Sequence, residues 1–400
     1  MYYYNMSRVH QDLTTNYMYV TSGAESSSAT TGSTLVTGGA SIGSSLFIGN
    51  NQVVESGGTL TVPQSVQQSV FMSPVTNYIT TVAQTVSTND QYNGAVLASN
   101  GNIYCVPGSA SNIMVINPTN NYVTYIGSFD TTADKWIGGV LSKKGTIYMA
   151  PYANTNILVV DPTNNSWYTI SSALIVSNGY AGGVLSTNNL IYFIPQNASR
   201  ILVVDTSADI VGLVGSSYAG TDKWFGGVLG SNGNIYGVPS SNSFVLQFNP
   251  STSATSTFGA AGTSTSKYRG GTIGSDNMIY CAPYNTSRIL QINPTSSTIT
   301  FFGTLPSSTS NYVGCTLAPN GSIYSFPFTT TDMLIINTTT SLSFTLVNTL
   351  MNNIGGSVLA PNGLIYAVPS NTSNLLTVSP GISSTMLDNI MCLSAFINKL

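Results

Sequence analysis

The chain has 400 residues, of which only 6% are charged, with a formal net charge of −3. An average globular protein carries roughly 25% charged residues, so solubility here rests on Ser, Thr, Asn and Gly. No basic surface exists to attract nucleic acid or anionic membrane, and no apolar run approaches the roughly 20 residues of a membrane-spanning helix.

Residues 1–30 are polar and aromatic without periodicity and end in the low-complexity run Ser26-Ser27-Ser28-Ala29-Thr30. They begin Met1-Tyr2-Tyr3-Tyr4-Asn5, with neither a basic nor an apolar stretch, so no signal peptide is expected. This segment reads as an anchoring arm, ordered only by a partner. Residues 31–72 carry very short apolar strands between Gly and Asn turns, such as Leu46-Phe47-Ile48 and Val53-Val54. They are too few for a monomeric core, and several chains winding together would bury them, so a homo-oligomer is expected. The spacing of Thr31-Gly32, Leu35-Val36, Gly38-Gly39, Ile42-Gly43 and Leu46-Phe47-Ile48-Gly49 resembles shaft modules of fibre and spike proteins from phages and large DNA viruses. That resemblance implies a multimeric appendage on a virion surface, with capsid or other virion proteins bound through residues 1–72. The alternative is a flexible linker.

From residue 73 a repeat takes over. Ile-Tyr pairs recur at Ile103-Tyr104, Ile147-Tyr148, Ile191-Tyr192, Ile235-Tyr236, Ile279-Tyr280, Ile323-Tyr324 and Ile365-Tyr366, and a proline follows each tyrosine by three residues. Successive tyrosines are 44 residues apart five times and 42 once. Each unit reads as four strands. A Gly-Gly-Val-Leu-like run leads through an Asn-Gly turn to the Ile-Tyr strand, which the proline ends. A continuous apolar strand follows, as in Ile113-Met114-Val115-Ile116, then a more polar one, as in Tyr122-Val123-Thr124-Tyr125-Ile126. Four strands per unit, seven times over, predict an all-β fold: a seven-bladed β-propeller over residues 73–380, preceded by the short shaft-like segment. An open β-solenoid is the competing architecture. The seventh unit lacks a fourth strand, and an orphan strand around Tyr78–Val82 precedes the first unit. Pairing the two closes the ring and removes both edges.

The units also resemble YVTN-type surface-layer propellers. In these an (I/V)-Y-V strand is followed by V-x-V-I-D, matched best by Ile147-Tyr148 with Ile157-Leu158-Val159-Val160-Asp161. Asp161 and Asp205 are expected to cap turns, and the Asp134-Lys135 and Asp222-Lys223 pairs to form local ion pairs. Residues 381–400 have apolar positions at helical spacing and are expected to form a helical tail.

The chemistry is sparse. His10 is the only histidine, so no Ser/His/Asp or Cys/His set and no imidazole metal site can form within the repeats. The four cysteines have no metal spacing and read as buried thiols. The expectations are no enzyme, no metal and no cofactor. One constellation stands out: Tyr92, Trp136, Tyr180, Trp224, Tyr268 and Tyr312 each lie two residues before a first-strand glycine. They form either a packing ring at the channel mouth or an aromatic platform for a sugar or peptide. Loops between second and third strands add Tyr152, Asn154, Asn197, Arg200, Tyr284, Asn285, Arg288, Phe328 and Asp332, equipment for a host glycan or receptor. The functional expectation is a virion structural protein for attachment or protein interaction. The alternative is a secreted or cell-surface YVTN-like binding propeller.

Overall fold

The computed structural model describes residues 78–83 and 91–380, apart from 307–308, 339–342, 350 and 373, together with four short strands before residue 55. Those four strands form two antiparallel pairs, Val9–Asp12 with Tyr17–Val20 and Leu46–Ile48 with Asn51–Val54. Beyond these pairs, the anchoring arm, the shaft-like segment and the helical tail lie outside the described residues. Residues 77–380 form a compact unit of their own.

That unit is a seven-bladed β-propeller of seven four-stranded antiparallel sheets. Blades 1 to 6 are built from consecutive strands and begin at Tyr92, Trp136, Tyr180, Trp224, Tyr268 and Tyr312. Blade 7 takes Ile354–Leu359, Ile365–Pro369 and Asn374–Ser379, and its outermost strand is Tyr78–Ala83 from the other end of the chain. The two strands pair antiparallel from Asn374 opposite Ala83 to Ser379 opposite Tyr78.

The composition of each strand follows its distance from the axis. Second strands such as Ile103–Pro107 are buried throughout, and third strands bury nearly every side chain. Outer strands are wet, and Tyr122 is 65% exposed. The core is divided into seven clusters, one between each pair of neighbouring blades. Within the Ile-Tyr strand the two side chains point to opposite faces, as strand alternation requires. Tyr104 packs towards blade 2 beside Ile147, while Ile103 packs towards blade 7 beside Tyr366. The tyrosine hydroxyls reach polar groups at the rim: Tyr104 donates to Asn165 at 2.6 Å, Tyr148 to Asp209 at 2.7 Å and Tyr366 to Asn121 at 2.7 Å. In five blades the Asn of the preceding turn donates to the same hydroxyl, as Asn188 does to Tyr192 at 2.9 Å.

Every first strand carries a one-residue bulge against its second strand, between Trp136 and Gly139 in blade 2 for example. The glycines Gly138, Gly182, Gly226, Gly270 and Gly314 sit at these bulges with φ between 70° and 81°, the conformation in which glycine escapes the Cβ clash. With Gly356 and Gly94 they close a ring of seven around the axis. A Cβ on Gly182 would lie 2.9 Å from the Cα of Gly226, and one on Gly356 would lie 2.9 Å from that of Gly94. A side chain at Gly138, Gly182 or Gly356 would push two blades apart.

Two predictions follow from this geometry. Gly101 has φ 82° and open space around it, so Gly101→Ala should lose only the left-handed penalty, about 1–2 kcal/mol. Gly182→Ala adds a backbone collision, worth a further ~1–3 kcal/mol; denaturant melts of the two variants measure the difference. Removing residues 1–72 should leave cooperative unfolding intact. Removing residues 1–86 strips blade 7 of its outer strand and should broaden the transition or cause aggregation.

Candidate functional site

A cavity of about 540 Å³ lies on the axis, at the end where the first strands begin. Its floor is the glycine ring, and its wall includes the residue that follows the first-strand aromatic in five blades, Asn93, Ile137, Phe225, Arg269 and Val313; in blade 3 the equivalent Ala181 is buried and does not reach it. Tyr152, Gln196 and Phe328, each directly after a second-strand proline, form part of the rim. The rim is stitched by backbone. Gln196 donates its N–H to Gly179 O at 2.8 Å within its own blade, and its carbonyl accepts the Lys223 N–H of the next blade at 3.0 Å. Equivalent bonds join the other blades, as from Lys267 N to Ser240 O at 3.0 Å and from Asn311 N to Tyr284 O at 3.0 Å.

The six first-strand aromatics are not on this wall. Tyr92, Trp136, Tyr180, Trp224, Tyr268 and Tyr312 are each no more than 2% exposed and belong to the clusters between blades. The bulge decides which neighbouring blade each one meets. In a regular strand Trp136 would share a face with Gly138, but the extra residue puts it on the side of Gly139, against blade 1. Its indole N–H donates to Asn156 O at 2.8 Å, and that of Trp224 to Phe244 O at 2.9 Å. Tyr92 donates to Asn112 at 2.9 Å. Buried in this way, the six offer no open face to a ligand in this arrangement.

Arg200 and Arg288 also point away from the axis. Arg200 Nε donates to Gly215 O at 2.9 Å, and an Arg288 Nη donates to Phe301 O at 2.8 Å, both beside outer strands. Asp161 and Asp205 cap turns by accepting the N–H of Thr163 at 2.9 Å and of Ser207 at 2.8 Å. The paired lysines turn to backbone rather than to their aspartates. Lys223 Nζ donates to Gln196 O and Gly220 O at 3.0 and 2.8 Å, and Lys135 Nζ to Thr132 O at 3.2 Å. Cys105 and Cys281 are buried, with burial raising both thiols above the ordinary range. Cys315 borders the cavity but burial pushes it up to about 12, which leaves it without thiolate character at neutral pH.

The cation of the cavity is Arg269, which the sequence reading passed over. Its guanidinium stacks 3.9 Å from the centre of the Tyr284 ring and 5.0 Å from that of Phe225. Its Nε is buried and has no hydrogen-bond partner among the described residues. Gln196, 5% exposed, is its polar counterpart. Its amide nitrogen donates to Asp222 at 2.9 Å, and its Oε1 is buried without a partner. Asp222 also accepts from the hydroxyls of Ser240, Ser241 and Ser266 at 3.0, 2.6 and 2.7 Å. Burial opposes ionisation of Asp222, but the bonds from Ser241, Ser266, Gln196 and Ser240 outweigh it and hold the carboxyl below its ordinary range. On another part of the wall Asp134 accepts from Asn93 at 2.7 Å. A signal for Arg269 was present in the repeats. The position after each aromatic varies from unit to unit while its neighbours stay fixed, as expected where residues border a cavity.

No protein-family model and no curated protein matches the chain. Solved structures do. Virginiamycin B lyase from Staphylococcus aureus superposes with a TM-score of 0.65 at 16% identity, covering 76% of this chain and 99% of that one. The extracellular domain of a one component system from B. thetaiotaomicron matches at 14% identity and a TM-score of 0.58, over 76% of this chain and 43% of that one. Hydrazine synthase from Kuenenia stuttgartiensis gives 0.59 at 11% identity, over 74% of this chain and 97% of that one. At these identities the likeness establishes the seven-bladed fold alone. It nevertheless overturns the expectation that the chain is no enzyme. The architecture is shared with a lyase over nearly the lyase's full length, so the fold by itself does not exclude an enzyme.

The burial of the aromatics and lysines sets two expectations. Trp136→Ala and Trp224→Ala should each lower stability by about 3–5 kcal/mol, the usual loss for a buried large aromatic, read as a shift in denaturant midpoint. The second is a pH profile. Burial brings Lys267 down to about 8 from an ordinary 10.5. Between those values the unfolded chain binds more protons, so this group makes stability rise with pH. Burial pushes Tyr180 and Tyr312 up to about 12 from an ordinary 10. Their contribution is complete below pH 10 and is lost as pH rises towards 12. Chemical melts from pH 7 to 12 should show a shallow rise above pH 8, then a steep fall above pH 10.

Proposed function

We propose that this chain is a secreted or cell-surface binding propeller that takes a small ligand, a sugar or a peptide, into its axial cavity. The observation that carries this reading is the pair of buried polar atoms left without partners at the cavity, Arg269 Nε and Gln196 Oε1. Buried polar atoms are ordinarily hydrogen-bonded, and an unsatisfied one is destabilising by roughly 1–3 kcal/mol. A ligand that satisfies both would recover that loss on binding. Concave sites with apolar walls and a few convergent polar groups are the usual form of small-molecule sites.

The location is supported by the resemblance to YVTN-type surface-layer propellers and by the likeness to an extracellular domain. The lyase of this fold has a structure with quinupristin, which supports a ligand-taking role for the architecture. The virion reading depends on residues 1–72 as a shaft and draws no support from the comparisons, so the binding propeller is preferred to it.

The test is to plug the cavity. Ile137→Trp places a larger ring on the wall, and a panel of glycans and short peptides is titrated against it and against the unmodified protein by calorimetry. At least one ligand should bind the unmodified protein and lose affinity by tenfold or more in Ile137→Trp, with melting unchanged. Binding indifferent to the plug would place the ligand elsewhere.

A further inference from the structure

Resting on that reading of the cavity, we infer that its ligand is an amphipathic organic acid: a carboxylate joined to an apolar body and a hydrogen-bond donor, as in short peptides with a free C-terminus and N-acyl amino acids. Three features of the wall select this chemistry.

The first is the cation. Arg269 is held by rings rather than by an acid, with Tyr284 at 3.9 Å and Phe225 at 5.0 Å from the guanidinium carbon. Stacking occupies the face of the guanidinium and leaves its edge, where the N–H donors lie, for a partner in the plane. The edge is the part that recognises a carboxylate, through parallel N–H···O bonds. Buried Nε has no such partner within the described protein. The acids nearby are already engaged: Asp134 accepts from Asn93, and Asp222 from three serines and Gln196. Lys135, Lys223 and Lys267, the other buried cations of this region, lie off the cavity lining and donate to backbone carbonyls, Lys267 to those of Ser240, Asn242 and Ser264. Arg269 is therefore the cation left to meet an anion in the cavity.

The second feature is an acceptor of fixed orientation. Asp222 is held ionised and can only accept, so the Gln196 amide must present its nitrogen to it. The same bond turns Oε1 away from Asp222 and leaves it unpartnered. A group that meets Oε1 must donate, as an amide N–H, an ammonium or a hydroxyl does. The third feature is apolar: Ile137, Val313, Phe225 and Phe328 line the same space. A polyhydroxylated sugar acid would strand hydroxyls against these side chains, whereas the flank of an amino acid would bury apolar surface there.

The test uses the whole chain and calorimetric titration. The probes are N-acetylphenylalanine, its methyl ester and galacturonic acid. N-acetylphenylalanine should bind, its ester at least tenfold more weakly, and galacturonic acid at least tenfold more weakly than the free acid. Arg269→Gln should abolish the preference for acid over ester. Because Arg269 Nε has no internal partner, that variant should melt at or above the unmodified temperature; a purely structural stack would show a lowered one. Gln196→Glu, which places two carboxylates against each other, tests the acceptor and should weaken binding or couple it to protonation. Equal binding of acid and ester to the unmodified protein overturns the inference, as does tighter binding of galacturonic acid. A neutral ligand lost in Ile137→Trp but indifferent to Arg269→Gln would overturn the carboxylate and leave the cavity reading standing. If no probe or panel member responds to Ile137→Trp, both readings fall.

Discussion

Seven glycines meeting backbone to backbone around the axis are the constraint on which the rest of this propeller depends. Blades are wedges, and their inner strands approach most closely where the ring is narrowest. Gly182 and Gly226 meet there with no room for a single methyl group. That approach keeps the neighbouring sheets close enough to interdigitate. The apolar second and third strands then bury against one another in seven similar clusters. The positive φ at these glycines is inseparable from the bulge that bends each first strand inward.

The same bulge shapes the site. By shifting parity it puts the large aromatic on the side of the preceding blade, and in most blades the residue after it borders the axial space. A rigid frame thus surrounds a set of positions that the fold does not require to be alike. This division explains how one repeat can hold Asn93, Ile137, Phe225, Arg269 and Val313 at equivalent places without harming the fold. It also explains why Arg269 tolerates an unsatisfied nitrogen: the frame, not the side chain, supplies the stability.

Much of the fold was legible because it is written in period and composition. The Ile-Tyr spacing, the terminating prolines and the apolar third strands each correspond to one element in every blade. The turn-capping role read for Asp161 and Asp205 matches their bonds to Thr163 and Ser207. The site was less legible. Counting two residues back from a glycine puts Trp136 on the glycine's face only if the strand is regular, and no feature of Trp136-Ile137-Gly138-Gly139 announces that it is not. Arg200 and Arg288 looked like loop equipment because their positions open a third strand, but backbone carbonyls of the outer strands capture them. Tyr152 and Phe328, chosen from the same loops, do reach the cavity because they follow the prolines directly.

The closure of blade 7 also has a timing. Thr80 and Thr377, joined by a side-chain bond of 3.2 Å, stand 297 residues apart in the chain. Each of the first six blades is contiguous and can assemble as it leaves the ribosome. The strand Tyr78–Ala83 emerges before all of them and meets Asn374–Ser379 only after the six blades between them have been made. At about 5–20 residues per second, the nascent chain carries that bare strand for roughly 15–60 s while six complete blades await the seventh. Throughout that interval an unpaired edge is open to any neighbouring chain, so the ring's last act is also the step most exposed to mispairing between two copies.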